Sequence, residues 1–198
     1  MRLTVFVTIL IIYFATFFAL NFFYDDIKSA LGKKYYFVYT LLEYLTFAYI
    51  LWTFIKNTRF RILIAVVSGA FLIFLIVFFS TVTIKRVDSI PIGVESLLLF
   101  MFIFYFFYQY FKYATIDISG DYSFWLVTGI LIYLGSTFFF NILAENISPF
   151  HFKKYWYFTY IGDIIKNILS AVAVILYIKH PIEKTNQKSS SVPYLDMI

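Results

Sequence analysis

Residues 62–84 read ILIAVVSGAFLIFLIVFFSTVTI and contain no charged side chain. A helix needs roughly 20 mostly apolar residues to cross about 30 Å of bilayer hydrocarbon, so this stretch predicts a membrane-spanning helix. The period-2 alternation of a membrane barrel is absent, and a helix satisfies its backbone hydrogen bonds internally. The rest of the chain is therefore interpreted with a bilayer as its solvent.

The composition of the whole chain supports a membrane location. Of its 198 residues, 62% are hydrophobic and 14% are charged, and the mean hydropathy is +0.84. Soluble globular domains contain about 45–50% apolar and about 25% charged residues, so this composition excludes a soluble domain, a disordered chain and a collagen. The sequence has no cysteine, which excludes a thiol nucleophile, a thiolate metal site and a disulfide framework.

Five further apolar runs flank the first, at residues 3–24, 35–55, 90–111, 122–144 and 155–178. The run at 3–24 is longer than the apolar part of a signal peptide, which has about 7–15 residues, so we expect it to stay in the membrane. The sequence predicts an all-α, polytopic transmembrane bundle of six helices in one domain, residues 1–178. Pro181 disfavours further helix, so residues 179–198 are expected to form a flexible polar tail.

Four ionisable side chains fall inside these predicted spans: Glu43, Glu95, Asp163 and Lys166. Each costs about 2.5–3.5 kcal/mol at the bilayer centre on insertion scales, which makes it a candidate functional residue. The helical rise places Glu43 and Asp163 both about 12 Å, and Lys166 about 16 Å, from the same membrane face. We therefore expect a small polar cavity that opens toward that face.

Helical phase groups the polar residues of two predicted helices. The sixth predicted helix carries a stripe of Thr159, Asp163, Lys166, Asn167 and Ser170, and the second carries Tyr36, Tyr39, Thr40, Glu43 and Thr46. Two polar stripes in lipid are expected to face each other or water. The candidate ligand- or ion-binding residues are accordingly Glu43, Asp163, Lys166, Asn167 and Glu95.

Structural roles compete with these functional ones. Asp163 and Lys166 stand at positions i and i+3 and can neutralise each other as a purely structural pair. Glu95 follows Asp88, Ser89 and Pro91, a typical helix start, where a carboxylate is stabilised by the positive end of the helix. If the residues do bind a ligand, the three carboxyls against one lysine favour a proton or a cation.

The charge distribution leaves the orientation in the membrane open. The positive-inside rule compares eight basic residues on one face, Arg2, Lys56, Arg59, Arg61, Lys112, Lys179, Lys184 and Lys188, with seven on the other, Lys28, Lys33, Lys34, Lys85, Arg86, Lys153 and Lys154. The net charge of +5 suits two membrane surfaces with anionic lipid headgroups and lacks the continuous basic stripe of a nucleic-acid site. Expected partners are membrane lipids, a second copy or another membrane protein, and not nucleic acid.

Catalytic motifs are absent from the sequence, which contains no H-E-x-x-H, G-x-S-x-G or P-loop. We therefore expect a non-enzymatic protein without a cofactor or metal, acting as a sensory or accessory membrane module. The alternative is a proton- or cation-coupled transporter or channel of small solutes. The sequence shows no inverted repeat and no pair of helices broken by Gly and Pro, features that many transporters have.

Four strings carry a family resemblance: YTLLEY (39–44), VESL (94–97), FWLVTGILIYLGSTFFF (124–140) and DIIKNILSA (163–171). From about residue 35 to 178 the chain resembles a group of uncharacterised bacterial multi-pass membrane proteins. The resemblance implies an inner-membrane location, cytoplasmic termini and a polar half that faces the cell exterior. Members carry one further helix before the first one here, which implies a short version or a start upstream. The resemblance implies no activity.

Overall fold

The computed structural model describes residues 3–32, 34–81, 89–113, 120–144 and 149–190, and within these ranges the chain forms seven helices and no strand. The helices are α1 (Leu3–Phe22), α2 (Tyr24–Leu31), α3 (Lys34–Phe54), α4 (Thr58–Thr81), α5 (Ser89–Tyr113), α6 (Tyr122–Ala144) and α7 (Pro149–Ser190). The predicted all-α bundle is confirmed. Residues 191–198 of the predicted tail, and Arg2, Lys33, Lys85 and Arg86 of the charge comparison, lie outside the described residues.

Five helices are each long and apolar enough to cross a membrane: Lys34–Phe54, Thr58–Thr81, Ile90–Lys112, Tyr122–Phe140 and Thr159–Lys179. The segments Val7–Phe22 and Tyr24–Leu31 pass the same test as a pair, although an 81° bend separates them. Counting this pair as one span gives the six spans that the sequence predicts. The chain thus has the helices of a multi-pass membrane protein.

The short helix α2 lies in the connection between the first two predicted spans, for which the sequence predicts no helix. Asp25 and Asp26 lie in its first turn, where carboxylates are stabilised by the helix dipole, and Gly32 ends it. The ammonium of Lys28 donates a hydrogen bond to the Tyr24 hydroxyl and lies 5.3 Å from the centroid of the Tyr36 ring. These contacts attach α2 to the beginning of α3 and explain why a stretch rich in charge is helical.

Gly32 has a backbone conformation that disfavours every other residue, with φ 56° and ψ −124°. We expect Gly32→Ala to lower the free energy of unfolding by about 1–2 kcal/mol, because a side chain is strained at such positive φ. Unfolding of the purified protein in detergent measures the change. Gly69→Ala is the control: its added Cβ meets nothing within 4 Å, so that variant should be at least as stable as the original. Equal stability of the two variants would contradict the strained backbone conformation at Gly32.

The interior is built mainly from aromatic and branched side chains of α3, α5 and α6. The largest fully buried side chains include Tyr44, Phe47, Leu51, Phe102 and Leu126. By contrast, large apolar side chains of α4 such as Ile62, Val66 and Ile73 are exposed on the outer surface. This inversion of the soluble pattern is expected where lipid tails surround the bundle.

Helices α6 and α7 are in close contact at two glycines. A Cβ added at Gly129 would lie 3.1 Å from Leu169 Cβ, and one added at Gly162 would lie 1.8 Å from Ser136 Oγ. Small residues at such crossings allow two membrane helices to pack backbone to backbone. This packing fixes the position of α7 against α6, on which the candidate site depends.

Helix α7 continues beyond residue 178, where the sequence predicts its end, and reaches Ser190. Pro181 removes one backbone hydrogen bond, and the helix-forming residues Glu183, Lys184 and Gln187 follow it. At 42 residues the helix is about 63 Å long, roughly twice the thickness of the bilayer hydrocarbon. Part of α7 therefore extends outside the membrane as a continuation of the same helix.

Candidate functional site

Glu43 lies on α3 in the interior of the bundle, with 7% of its surface exposed. Its Oε1 accepts a hydrogen bond from the hydroxyl of Tyr133 on α6, at 2.5 Å. A buried carboxyl without such a partner is costly, because nothing replaces the water that it loses. Tyr133 therefore supplies the contact that allows an acidic residue at this depth.

Lys166 lies on α7 and is 5% exposed. Its ammonium donates hydrogen bonds to Asp163 Oδ1 at 2.8 Å and to the Tyr13 hydroxyl of α1 at 3.0 Å. The same nitrogen lies 3.7 Å from the centroid of the Tyr133 ring, in a cation–π contact. Two oxygens and a ring face thus surround the three N–H donors of the lysine.

Tyr133 consequently joins the acidic and the basic half of the site: its hydroxyl binds Glu43 and its ring lies against Lys166. We call Tyr13, Glu43, Tyr133, Asp163 and Lys166 the tyrosine-bridged cluster. Four helices, α1, α3, α6 and α7, contribute to it. Lys166 also interacts electrostatically with Glu43, so the two charged groups that the sequence placed at similar depth lie on the same side of the bundle.

Glu95 on α5 is 1% exposed, and neither carboxylate oxygen has a hydrogen-bond partner within the described part of the chain. The first turn of α5 contains no acidic residue, so Glu95 lies beyond the free N–H groups of the helix start. The structure therefore does not support the alternative that its carboxylate serves the beginning of the helix. Glu43 acts electrostatically on Glu95, so the charge of this acid is coupled to that of the cluster.

The remaining candidates of α7 occupy different faces. The Asp163 side chain is 41% exposed, so it connects the buried cluster with the outer surface of the bundle. Asn167 is exposed and lies outside the cluster. Thr159 and Ser170, from the same predicted stripe, are buried. Of the stripe predicted from helical phase, Lys166 therefore faces the interior of the bundle, whereas Asn167 does not.

The sequence predicts a polar cavity around Glu43 and Lys166. The structure instead encloses both side chains in protein. Where the sequence predicts water, the structure has the hydroxyls of Tyr13 and Tyr133 and the ring face of Tyr133. One cavity among the described residues is an apolar groove of about 570 Å³ between α1, α3 and α4. It contacts the cluster through Tyr13.

Tyr13 and Tyr133 are the site residues that the sequence analysis missed. Both lie within apolar runs, away from the helix ends where membrane tyrosines usually contact the interface. A tyrosine that is buried in the middle of a helix usually needs a hydrogen-bond partner for its hydroxyl. The mid-helix position of Tyr13 and Tyr133 is therefore the signal that indicates a polar contact.

The charges of the site do not balance. Glu43, Glu95 and Asp163 supply three carboxyls, whereas Lys166 supplies one ammonium. Uncompensated buried charge is costly, so this surplus of carboxyls makes the site a candidate for binding a proton or a cation. No group of three or more His, Cys, Asp or Glu residues that could hold a metal ion occurs in the described ranges.

Comparisons with protein-family models, with curated proteins and with solved structures find no match to this chain. The resemblance to bacterial multi-pass membrane proteins accordingly stays a prediction, and the function has to be argued from the cluster itself.

Proposed function

We propose that this protein is a non-enzymatic sensory or accessory membrane module, in which proton binding to the tyrosine-bridged cluster changes the position of α7. The supporting observation is that α7 is one helix from Pro149 to Ser190. The same helix holds Asp163 and Lys166 inside the bundle and continues past Lys179 as a polar segment. A small tilt near Lys166 therefore displaces the far end of the helix.

The mechanism follows from the charge surplus. Lys166 is attracted by Asp163 directly and by Glu43 across the Tyr133 ring. When Glu43 gains a proton, its attraction for the ammonium falls, and Asp163 and Tyr13 become the main partners of Lys166. Because Glu43 is on α3 and Asp163 is on α7, proton binding alters the balance between contacts across helices and contacts within α7.

The location and the partners belong to the same proposal. A bacterial inner membrane with both termini in the cytoplasm, as the resemblance implies, would direct the polar end of α7 to the cytoplasm. A second copy or another membrane protein would receive the signal there, and no nucleic acid is involved. Membrane lipids surround the exposed apolar faces.

A proton-coupled transporter or channel is the second candidate, and Glu95 is the observation that favours it. Its carboxylate, unpaired within the described ranges, interacts electrostatically with Glu43, and Glu43 is connected through Tyr133 and Lys166 to the partly exposed Asp163. Such a series of ionisable groups resembles the carboxylate relays of pumps and transporters. The two candidates predict different results for proton flux.

The first experiment follows the polar end of α7 directly. The chain has no native cysteine, so Ser189→Cys provides a single attachment site for an environment-sensitive fluorophore. In proteoliposomes we expect the fluorescence to change as the pH is varied, and Glu43→Gln to abolish at least half of this change. The amide of glutamine accepts the Tyr133 hydrogen bond but binds no proton in this pH range.

Asp121→Asn is the matched control, because it neutralises an acid at the beginning of α6 that caps Ser123 and lies outside the cluster. It should leave the fluorescence change intact. If the fluorescence change is also intact in Glu43→Gln, Glu43 is excluded as the sensor.

Proton and ion flux is measured in the same vesicles, with Glu43→Gln and Asp163→Asn. Flux that either substitution abolishes would establish the transporter.

A further inference from the structure

A second site is formed by the apolar groove between α1, α3 and α4, which has a volume of about 570 Å³. Its walls are largely hydrocarbon and aromatic, and include Ile12, Phe17, Leu45, Trp52 and Ala65. The polar groups at its surface are largely occupied: Thr46 Oγ1 donates to the Leu42 carbonyl, and Ser68 Oγ hydrogen-bonds the Tyr44 hydroxyl at 3.0 Å. The groove therefore suits a hydrocarbon chain better than a polar solute.

The length of the groove corresponds to one leaflet. Along α3 its lining extends from Leu42 to Trp52, which is about 15 Å at the helical rise. This is half of the roughly 30 Å of hydrocarbon in a bilayer. Trp52 lies near the end of α3, so the groove runs from the edge of the membrane to about its middle.

Basic residues stand at the outer end of the groove. The guanidinium carbon of Arg61 lies 3.7 Å from the centroid of the Trp52 ring, and its buried Nε has no hydrogen-bond partner within the described ranges. Arg61 shares its face of α4 with Ile64, Ala65 and Ser68 of the groove, because residues i+3, i+4 and i+7 lie above one another on a helix. Lys56 is exposed in the connection between α3 and α4.

We propose that the groove binds one anionic phospholipid, with an acyl chain between α1, α3 and α4 and the headgroup phosphate at Arg61. Guanidinium groups bind phosphate through paired hydrogen bonds, and Arg61 stands in the first turn of α4, at the end of the helix where the dipole favours an anion. Tyr13 lines the groove and accepts a hydrogen bond from Lys166, so the bound chain contacts a residue of the tyrosine-bridged cluster.

The test uses the full chain purified in detergent and native mass spectrometry. Phosphatidylglycerol and phosphatidylcholine with identical palmitoyl chains are titrated separately, so that only the headgroup differs, anionic in the first lipid and zwitterionic in the second. We expect one phosphatidylglycerol to bind more tightly than phosphatidylcholine, and Arg61→Gln to weaken its binding about fivefold, which one basic group near an anionic surface typically contributes. Arg59→Gln is the matched control, because Arg59 is on the opposite side of α4 and should change the affinity much less.

A second pair of variants tests the acyl-chain site. Ala65→Phe places a ring in the groove and should abolish tight binding, whereas Ala70→Phe, at another exposed position of α4 outside the groove lining, should preserve it. Three results would overturn the proposal: equal affinity for the two lipids, equal effects of the two arginine substitutions, or lipid binding that survives Ala65→Phe. A dimer that Ala65→Phe dissociates in the absence of lipid would instead assign the groove to a second copy.

Discussion

Gly162→Ala should lower the free energy of unfolding by about 2 kcal/mol, a typical cost of overpacking a close contact. The added Cβ would lie 1.8 Å from Ser136 Oγ and 2.9 Å from Ser136 Cβ, so α6 and α7 have to move apart. Because Ser136 follows Tyr133 by one helical turn and Gly162 precedes Asp163, the same movement separates Tyr133 from Lys166. Unfolding in mixed detergent, followed by tryptophan fluorescence, measures the loss.

Two further variants separate the steric contact from a general effect of alanine. Gly135→Ala adds the same methyl group to α6 next to Ser136, where nothing lies within 4 Å, and should gain up to about 1 kcal/mol from helix propensity. Adding Ser136→Gly to Gly162→Ala removes both clashing atoms and should restore part of the lost stability, because the new glycine itself costs up to about 1 kcal/mol in a helix. If this double variant is as unstable as Gly162→Ala, the contact with Ser136 is not the cause.

The spans could be predicted because the physics that determines them is local. A run such as 62–84 leaves no alternative to a helix in the bilayer, and the observed α4 covers Thr58–Thr81. Residues 24–31 and 179–190 were predicted less well because they are polar. Whether polar residues continue a helix depends on tertiary contacts such as that of Lys28 with Tyr24 and Tyr36, which no sequence window contains.

The candidate site divides in the same way. The cost of burying charge identifies Glu43 and Lys166 from the sequence, and helical rise gives their depth. Their partners depend on how α1 and α6 are rotated, so Tyr13 and Tyr133 could not be assigned. Asn167, which helical phase grouped with Lys166, is exposed because the observed rotation of α7 directs only one edge of the stripe inward.

Lys166→Met should be the most disruptive single substitution in the cluster. Methionine keeps an apolar stem but removes the ammonium, which leaves Tyr13 and Asp163 without their hydrogen-bond donor and the buried carboxyls without a cation. Removing one partner of a buried charge pair typically costs about 3–5 kcal/mol. Since Asp163 is 41% exposed, the pair is only partly buried, and we expect about 3 kcal/mol from unfolding in detergent.

A double-mutant cycle determines whether this loss comes from charge. If Lys166 balances Glu43 across the Tyr133 ring, Glu43→Gln should recover about 1 kcal/mol or more in the Lys166→Met background, because one uncompensated carboxyl is removed. Lys56→Met, at an exposed position between α3 and α4, removes an equal charge and should change stability by less than about 0.5 kcal/mol. Strict additivity of Glu43→Gln and Lys166→Met would mean that the two groups do not interact. The proton-sensing mechanism requires that interaction, so additivity would remove its physical basis even if each residue were separately needed for folding.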